Sequence, residues 1–196
     1  LKFKKKTAEK IQLYRLKSKY LPLPTEIEIS ESGICNRKCS FCPRSAPDFK
    51  DVKEFISEEL VLKVSKELGK FNYAGVIRFS GFVEPLLDKK IYQHIKVMKN
   101  NIPNCRIEVV TNGDPLNKDR LLKLFESGLD KILISVYDGE KEYNEFSDMI
   151  LKSGLSEEKY ILRKRYFSEE MDFGITLSNR AGLMENAEYK IPKLEK

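Results

Sequence analysis

The sequence predicts an α/β fold built around a mainly parallel sheet. From residue 26 to about residue 150, short segments of β-type composition alternate with longer amphipathic helical segments. This alternation is the pattern of successive βαβ units, which place parallel strands side by side. Pro22 and Pro24 separate the alternating region from a basic segment before it. The pattern alone leaves both a doubly wound sheet and a barrel open.

Four strands and the helices between them follow from the order of apolar and polar residues. The predicted strands cover residues 26–30, 75–80, 106–111 and 131–136. Ser57 is a typical helix N-cap, because Glu58 and Glu59 follow it and favour the positive end of the helix dipole. Apolar side chains at helical spacing mark four helices, around residues 60–68, 91–98, 121–125 and 146–150.

The alternation weakens after residue 159. Segments 160–167 and 171–178 both have strand-like composition, but only three residues separate them. A parallel crossover needs about a dozen residues or more. A hairpin, an irregular return and an atypical end of the domain all remain open for this part of the chain.

Three cysteines, Cys35, Cys39 and Cys42, follow the first predicted strand with the spacing C-x3-C-x2-C. Clustered thiolates suit soft metals, and iron–sulfur clusters are usually held by four of them. Three on one loop therefore indicate a cluster with one iron open to another ligand. A zinc site completed from elsewhere and unligated redox thiols are the alternatives, although neither His94 nor Cys105 has the paired spacing of zinc fingers.

His94 and Cys105 are expected to be structural. His94 accompanies the apolar residues of the second predicted helix, and Cys105 precedes the third strand. A small thiol at such a position is usually buried as a hydrophobic side chain. We therefore assign neither residue to the site.

Small and polar residues recur where each predicted strand ends. The cysteine loop follows the first strand, residues 81–85 the second and residues 111–113 the third, while residues 135–139 close the fourth. Each ending alone is weak evidence, because such residues are common in turns. In barrel-type α/β folds the active site forms at these carboxyl ends. Four such endings, one of them a metal-binding loop, predict one shared active-site rim.

The cysteine spacing and the polar strand ends together resemble the radical S-adenosylmethionine (radical SAM) enzymes. The resemblance covers roughly residues 24–180 and implies a partial (β/α)6 TIM-like barrel of mainly parallel strands. It also implies a [4Fe-4S] cluster held by Cys35, Cys39 and Cys42, with S-adenosylmethionine on the fourth iron. Phe41 matches the aromatic position that lies near the adenine of this cofactor.

Further cofactor-binding residues are implied by the same resemblance. Gly81 and Glu84 lie in a looser form of the glycine-rich element that holds the methionine amino group. Asn112 matches a residue near the cofactor at the end of the third strand. Ser135 and Asp138 match ribose-contacting positions on the fourth strand.

The last part of the chain offers weaker indications. Arg163 and Arg165 share one face of a strand-like segment, where either could reach the cofactor carboxylate or the substrate, or both could face solvent. Residues 179–182 resemble a segment that precedes a cysteine-rich C-terminal extension in some radical SAM enzymes. The chain stops without those later cysteines, so a fragment and a minimal enzyme are both open.

The resemblance implies radical chemistry on a substrate that the sequence does not identify. An external one-electron donor, flavodoxin- or ferredoxin-like, reduces the cluster, which cleaves S-adenosylmethionine to a 5′-deoxyadenosyl radical. That radical takes a hydrogen atom from a substrate, for which a peptide and a sugar-linked molecule are the candidates. The alternative from another class is a non-catalytic iron–sulfur or zinc-stabilised binding module.

Composition and charge divide the chain into three parts. Residues 1–22 form a basic arm or helix, since residues 1–20 carry eight of the basic side chains and a single acid, Glu9, against an overall net charge of +6. Residues 23–182 form the core, and residues 183–196 a tail. The basic arm is most simply a solvated face, so nucleic-acid binding is not supported. No apolar run is long enough for a membrane span, and no signal peptide is visible, which favours a cytoplasmic setting.

Overall fold

The computed structural model describes residues 23–39 and 41–166. In chain order its strands are β1 (Glu26–Ile29), β2 (Ser32–Gly33), β3 (Val52–Phe55), β4 (Val76–Phe79), β5 (Arg106–Thr111), β6 (Lys131–Val136) and β7 (Tyr160–Lys164). Its α-helices are α1 (Glu58–Lys70), α2 (Ile91–Asn101), α3 (Lys118–Glu126) and α4 (Glu140–Ser153).

Five strands form one parallel sheet in the order β1-β4-β5-β6-β7. Helices α1 to α4 each lie in the connection that leads to the next strand of this sheet. The register brings the carboxyl ends together, since Ile29 is opposite Phe79 and Phe79 opposite Val109. The predicted α/β fold of mainly parallel strands is therefore confirmed, and its loops gather at one rim.

The hydrophobic core lies between the sheet and the helices. Ile77, Phe79 and Ile107 of the strands and Ile95 and Leu124 of the helices are all 0% exposed. Burying each such side chain contributes about 1.5–3 kcal/mol, so this layer provides most of the drive for folding. The alternate residues of the same strands face the other side of the sheet, where the active-site candidates lie.

Local signals in the sequence explain where the helices begin and end. The Ser57 hydroxyl accepts from the Leu60 amide at 3.1 Å, which confirms the predicted N-cap of α1. Asn117 caps α3 in the same way through the Arg120 amide at 2.9 Å. Helix α4 ends at Gly154, whose φ of 72° is a left-handed conformation that glycine adopts without strain.

Two elements differ from the sequence prediction. A short antiparallel hairpin of β2 and β3 follows β1 and was not predicted, because every residue of β3 is exposed and so has no alternating pattern. Segment 160–167 begins with a fifth parallel strand, β7, whose Tyr160 is opposite Ile132. The strand follows a complete helical crossover, so it continues the sheet and does not turn back on it.

Other predictions concern parts of the chain outside residues 23–39 and 41–166. These are the basic arm of residues 1–22, the strand-like segment 171–178, the segment 179–182 and the tail of residues 183–196. Within the described residues, no helix combines the length and the apolar character needed to cross a bilayer.

Candidate active site

A cavity of about 390 Å³ opens at the carboxyl ends of the parallel strands. This volume lies within the range of about 300–1,000 Å³ that is usual for small-molecule sites. It is lined by eight of the nine predicted site residues, namely Cys35, Cys39, Phe41, Cys42, Gly81, Glu84, Asn112 and Ser135. The ninth, Asp138, lies beside the cavity and does not line it. The strand ends thus form one site, as the sequence pattern predicts.

The three cysteines of the loop are free thiols of intermediate exposure. The Cys42 amide donates to the Cys39 carbonyl at 2.9 Å, and the Arg37 amide donates to Cys35 Sγ at 3.4 Å. Burial raises the pKa of the Cys35 and Cys39 thiols, and the neighbouring Cys42 raises both further. All three cysteines line the same cavity. Their donor set fits a cluster held by three thiolates.

Glu84 is a buried carboxylate that ties two strand ends together. Its side chain accepts from the Leu86 amide at 3.0 Å, the Thr111 hydroxyl at 2.6 Å and the Asn112 amide at 2.7 Å. The backbone amide of Glu84 also donates to the Ile34 carbonyl at 3.0 Å, next to the first cysteine. Burial raises the pKa of this carboxyl, while the hydrogen bonds favour its ionised form. Glu84 thus connects the loops after β1, β4 and β5.

Asn112 connects the end of β5 to the cysteine loop. Its side-chain amide donates to Asn36 Oδ1 at 2.8 Å and to Cys35 Sγ at 3.8 Å. Its carbonyl accepts from the Asp114 amide at 3.0 Å, which closes the turn after the strand. The residue is buried. Hydrogen bonds to a ligating sulfur are one means by which proteins tune iron–sulfur centres, so this contact fits the predicted site.

An aromatic pair forms part of the cavity wall. Phe41 stacks on Tyr137, with ring centroids 5.6 Å apart and an interplanar angle of 26°. Ser135 is buried near the end of β6, two residues before Tyr137. The pair gives the cavity a flat apolar surface beside the cysteines, which suits the stacking of a nucleobase.

Gly81 allows the loop after β4 to approach β1 closely. Its φ of 125° is a conformation that favours glycine, and a Cβ at this position would overlap the Ser30 hydroxyl. That hydroxyl donates to the Ser80 carbonyl at 2.9 Å, so the two strand ends are in direct contact. Any side chain here would separate them and move the cavity wall.

Arg163 and Arg165 of the last strand segment both line the cavity. Of the two orientations that the sequence left open, the structure therefore has the inward one. Glu28 of β1 and Arg78 of β4 lie on the same lining. Arg78 is neutralised by Glu108, to which its Nε and Nη2 donate at 3.0 and 2.8 Å. The cavity lining therefore carries both signs of charge.

Comparison with known proteins identifies the family of this site. The model of the radical SAM superfamily matches residues 29–165, which include the cysteine loop and every strand end described above. The chain belongs to the radical SAM superfamily. Enzymes of this superfamily use a [4Fe-4S] cluster and S-adenosylmethionine, and the match gives no support to a non-catalytic binding module.

Two curated proteins show which radical SAM enzymes this chain is similar to. It is 30% identical over 161 residues to the S-adenosyl-L-methionine-dependent 2-deoxy-scyllo-inosamine dehydrogenase of Niallia circulans, covering 82% of this chain and 60% of that protein. It is 33% identical over 107 residues to a biotin synthase of Thermotoga petrophila, covering 52% of this chain and 34% of that enzyme. The chain thus spans about 60% or less of the length of these relatives.

Solved structures of one protein, BtrN, have the same fold. The complex of BtrN with AdoMet and 2-DOIA superposes with a TM-score of 0.69 at 28% identity, over 84% of this radical SAM chain and 63% of BtrN. An open conformation of BtrN gives a TM-score of 0.58 at 26% identity, over 74% of this chain and 57% of BtrN. The likeness confirms the partial TIM-like barrel.

Beside the radical SAM site lies a group of buried polar residues that sequence reasoning did not identify. Glu31 is 0% exposed, and neither carboxylate oxygen has a hydrogen-bond partner within residues 23–39 and 41–166. His94 is also fully buried, with Nδ1 3.3 Å from Asp88 Oδ2. Burial lowers the pKa of His94, so the ring is held neutral in the core. The expected structural roles of His94 and of the buried Cys105 agree with these positions.

We expect Glu31 to make the stability of this radical SAM domain depend on pH. Burial, reinforced by Asp88 and Glu84, raises the pKa of Glu31 to about 8 from a usual value of 4.5. The unfolded chain therefore loses this proton first as the pH rises. Between these two values the free energy of unfolding falls with rising pH, by about 1.4 kcal/mol for each pH unit.

The substitution Glu31→Gln removes this titration, and denaturant unfolding followed from about pH 5 to about pH 8 measures the result. The variant should lose the decline in stability that the unmodified chain shows in this window. Glu59→Gln, at an exposed position of α1, is the matched control and should keep the decline. Equal pH slopes for the Glu31 variant and the unmodified chain would contradict the prediction.

Several side chains of the radical SAM site have no signal in the sequence. Arg37 lies within the cysteine motif and Tyr137 within residues 135–139, but in the sequence both have the character of ordinary loop residues. Arg44, two positions after the last cysteine, is buried and donates to the Phe82 carbonyl at 3.0 Å. Asp114 follows Gly113 and has the usual character of a turn residue. Their partners are far away in sequence, so local patterns could not have identified them.

Proposed function

We propose that this chain is the catalytic core of a radical SAM enzyme, with Cys35, Cys39 and Cys42 as ligands of the cluster. When bound and reduced, the cluster would supply the electron for cleavage of S-adenosylmethionine, and the cofactor would thereby provide a 5′-deoxyadenosyl radical for hydrogen-atom abstraction from the substrate. The observation that carries the proposal is that all three cysteines line one cavity at the carboxyl ends of the parallel strands.

The residues of the chain have separate roles in this proposal. Gly81 lets the loop backbone come close to the methionine amino group, and Glu84 holds that loop against Asn112. Phe41, stacked on Tyr137, offers its surface to the adenine. Ser135 lies on the lining at the position proposed for the ribose, and Asp138, the second residue proposed to contact the ribose, is hydrogen-bonded to Arg37. The carboxylate of Glu84 keeps lone pairs beyond its three hydrogen bonds, so it can still accept from an ammonium.

For the substrate we favour a polar, sugar-like molecule over a peptide. The cavity lining includes the Glu28 carboxylate, the Arg163 and Arg165 guanidiniums and the apolar side chains of Val110 and Leu133. Such a mixture can hydrogen-bond hydroxyl and amino groups. The relative from Niallia circulans is named as a dehydrogenase of an inosamine, which is an aminated polyol. Both observations support a small hydroxylated and aminated substrate.

The electron donor we propose is a flavodoxin- or ferredoxin-like protein. We assign the three loop cysteines to one centre, and that centre needs a one-electron donor for its reduction. A reducing, cytoplasmic setting is proposed with it, because Cys35, Cys39, Cys42 and Cys105 are all free thiols. Such a setting keeps the thiols available for iron.

Anaerobic reconstitution of the full chain with iron and sulfide tests the proposal. The protein should turn brown, bind S-adenosylmethionine and release 5′-deoxyadenosine when dithionite is added. Addition of aminated polyols should increase the yield of 5′-deoxyadenosine, and a substrate deuterated at the reacting carbon should transfer deuterium to that product.

Three results would contradict different parts of the proposal. A colourless protein that binds zinc would exclude the cluster. A brown protein that never yields 5′-deoxyadenosine would indicate a binding module. A peptide that increases the yield and carries its deuterium into the product, where polyols do neither, would exclude the sugar-like substrate alone.

A further inference from the structure

A single arginine links the cysteine loop to two other loops of the rim. Arg37 lies between the first and second cysteines of the motif, and its side chain is 18% exposed. Its Nε donates to Asp114 Oδ2 at 2.7 Å, and Nη2 also contacts Asp114. Its Nη1 and Nη2 donate to the two oxygens of Asp138 at 2.9 and 2.8 Å, and Nη2 reaches Glu142 at 3.3 Å. The guanidinium therefore uses nearly all of its donors.

The acidic residues that bind Arg37 also form hydrogen bonds within their own loop or helix. The Asp114 amide donates to Asn112 Oδ1, which fixes the turn after β5. Glu142 lies in the first turn of α4 and accepts from the Tyr137 and Asp138 amides, both at 2.8 Å. The three carboxylates thus belong to the rim at the carboxyl ends of β5 and β6, and Arg37 attaches the cysteine loop to this rim.

Charge makes this attachment specific for a guanidinium. Oxygens of Asp114, Asp138 and Glu142 lie within 4.8 Å of one another, so three negative charges repel across a small volume. Hydrogen bonding with Asp114 and Asp138 raises the pKa of Arg37 and keeps it charged. A planar fork can bind two carboxylates with paired hydrogen bonds, which a lysine ammonium cannot do.

The same arginine also contacts the aromatic wall of the cavity. Its guanidinium carbon lies 5.4 Å from the centre of the Tyr137 ring, the ring on which Phe41 stacks. Its backbone amide donates to Cys35 Sγ at 3.4 Å. Arg37 therefore touches the first cysteine and the ring that positions Phe41, while its side chain anchors both to β5 and β6.

We propose that Arg37 is a positioning residue: its ion pairs with Asp114, Asp138 and Glu142 hold the cysteine loop in the binding conformation before any cofactor arrives. Three thiols must point toward one centre to receive a cluster, and ordering a loop costs conformational entropy at each residue. Prior anchoring reduces that cost at the moment of binding. The role in cluster loading rests on the proposed function, whereas the ordering of the loop does not.

Hydrogen–deuterium exchange on the metal-free full chain tests the ordering directly. In Arg37→Gln, the amides of segment 34–42 should exchange about tenfold faster or more, with the strands of the sheet unchanged. Asp114→Asn should give a similar acceleration, and the double variant should exchange no faster than the more affected single variant, because both remove the same link. Arg37→Lys should restore only part of the protection.

Arg106→Gln is the matched control, because Arg106 also pairs with a carboxylate, Glu108 at 2.8 Å, but at the opposite end of β5. This variant should leave exchange in segment 34–42 unchanged. A second readout is the rate at which a chelator bleaches the reconstituted cluster, which should rise about tenfold in Arg37→Gln. If Arg37→Gln does not fold, Arg37→Lys and Asp114→Asn decide the result.

Unchanged exchange of segment 34–42 in the Arg37 and Asp114 variants would overturn the proposal. So would faster exchange spread evenly over the whole sheet, since that would show general destabilisation. If the chain proved to hold no iron–sulfur cluster, the exchange results would still decide the ordering role, and the failure would fall on the proposed function alone. Faster exchange with normal cluster retention would overturn the role in loading.

Discussion

Replacement of any one of Cys35, Cys39 and Cys42 by alanine should reduce cluster content and 5′-deoxyadenosine formation by at least about 100-fold. Loss of a residue that only orients a metal ligand commonly costs 10–100-fold, so loss of a ligand should cost more. The three thiols lie on one loop and line one cavity, and the other cysteine of the chain lies elsewhere. Iron and sulfide content after anaerobic reconstitution and the yield of 5′-deoxyadenosine measure the effect.

Cys105→Ala is the control for these three variants. Cys105 is 2% exposed within the hydrophobic core, so its replacement removes one buried sulfur and no ligand. This variant should take up the cluster normally, with a stability cost of about 1 kcal/mol. A loop variant that retained a full cluster, or a Cys105 variant that lost it, would show that the ligand assignment is wrong.

Substitution of Glu84 should be the most damaging change outside the cysteines. In Glu84→Gln an NH₂ group takes the place of one carboxylate oxygen. This donor then faces another donor, either the Asn112 amide or the Leu86 amide and the Thr111 hydroxyl. Because the site is buried, a donor left without an acceptor is costly, and we expect a loss of about 2–4 kcal/mol in the free energy of unfolding. The affinity for S-adenosylmethionine should fall with it, because the loops after β4 and β5 lose their common link.

Denaturant unfolding and S-adenosylmethionine binding to the reconstituted protein measure both parts of this effect. Glu140→Gln provides the control, because Glu140 forms its ion pair with Lys164 at the surface, at 2.9 Å. The Glu140 variant should lose little stability and bind the cofactor normally, because water and salt screen an exposed ion pair. Equal losses in the two variants would mean that burial and hydrogen bonding at Glu84 have no special weight.

The fold could be predicted closely because its signals are local. Strands β5 and β6 have the predicted bounds, and Ser57 is the predicted N-cap, since apolar periodicity and capping depend on residues near one another. The β2–β3 hairpin was not predicted because every residue of β3 is exposed, so its sequence does not alternate between apolar and polar residues. Strand β7 was recognised as strand-like, but its parallel pairing with β6 depends on a contact across the chain.

The candidate site divides in the same way. The positions of Gly81, Glu84, Asn112 and Ser135 at strand ends followed from counting along the chain, and all four line the cavity. Which other protein groups these residues contact could not be predicted. Glu84 and Asn112 are linked across 28 positions, and a hydrogen bond between such distant residues has no trace in either local sequence.

The sequence by itself determined the order of strands and helices and the cysteine loop that follows the first strand. The order of elements and the cysteine loop both depend on the types of residues that lie close together in sequence, and the covalent chain fixes that spacing. Tertiary structure alone decided that Arg37 meets carboxylates 77 and 101 positions away. It also decided that the Glu31 carboxylate is buried with no hydrogen-bond partner among the described residues. Charge pairing and desolvation depend on which surfaces come together, and only the folded sheet brings those surfaces into contact.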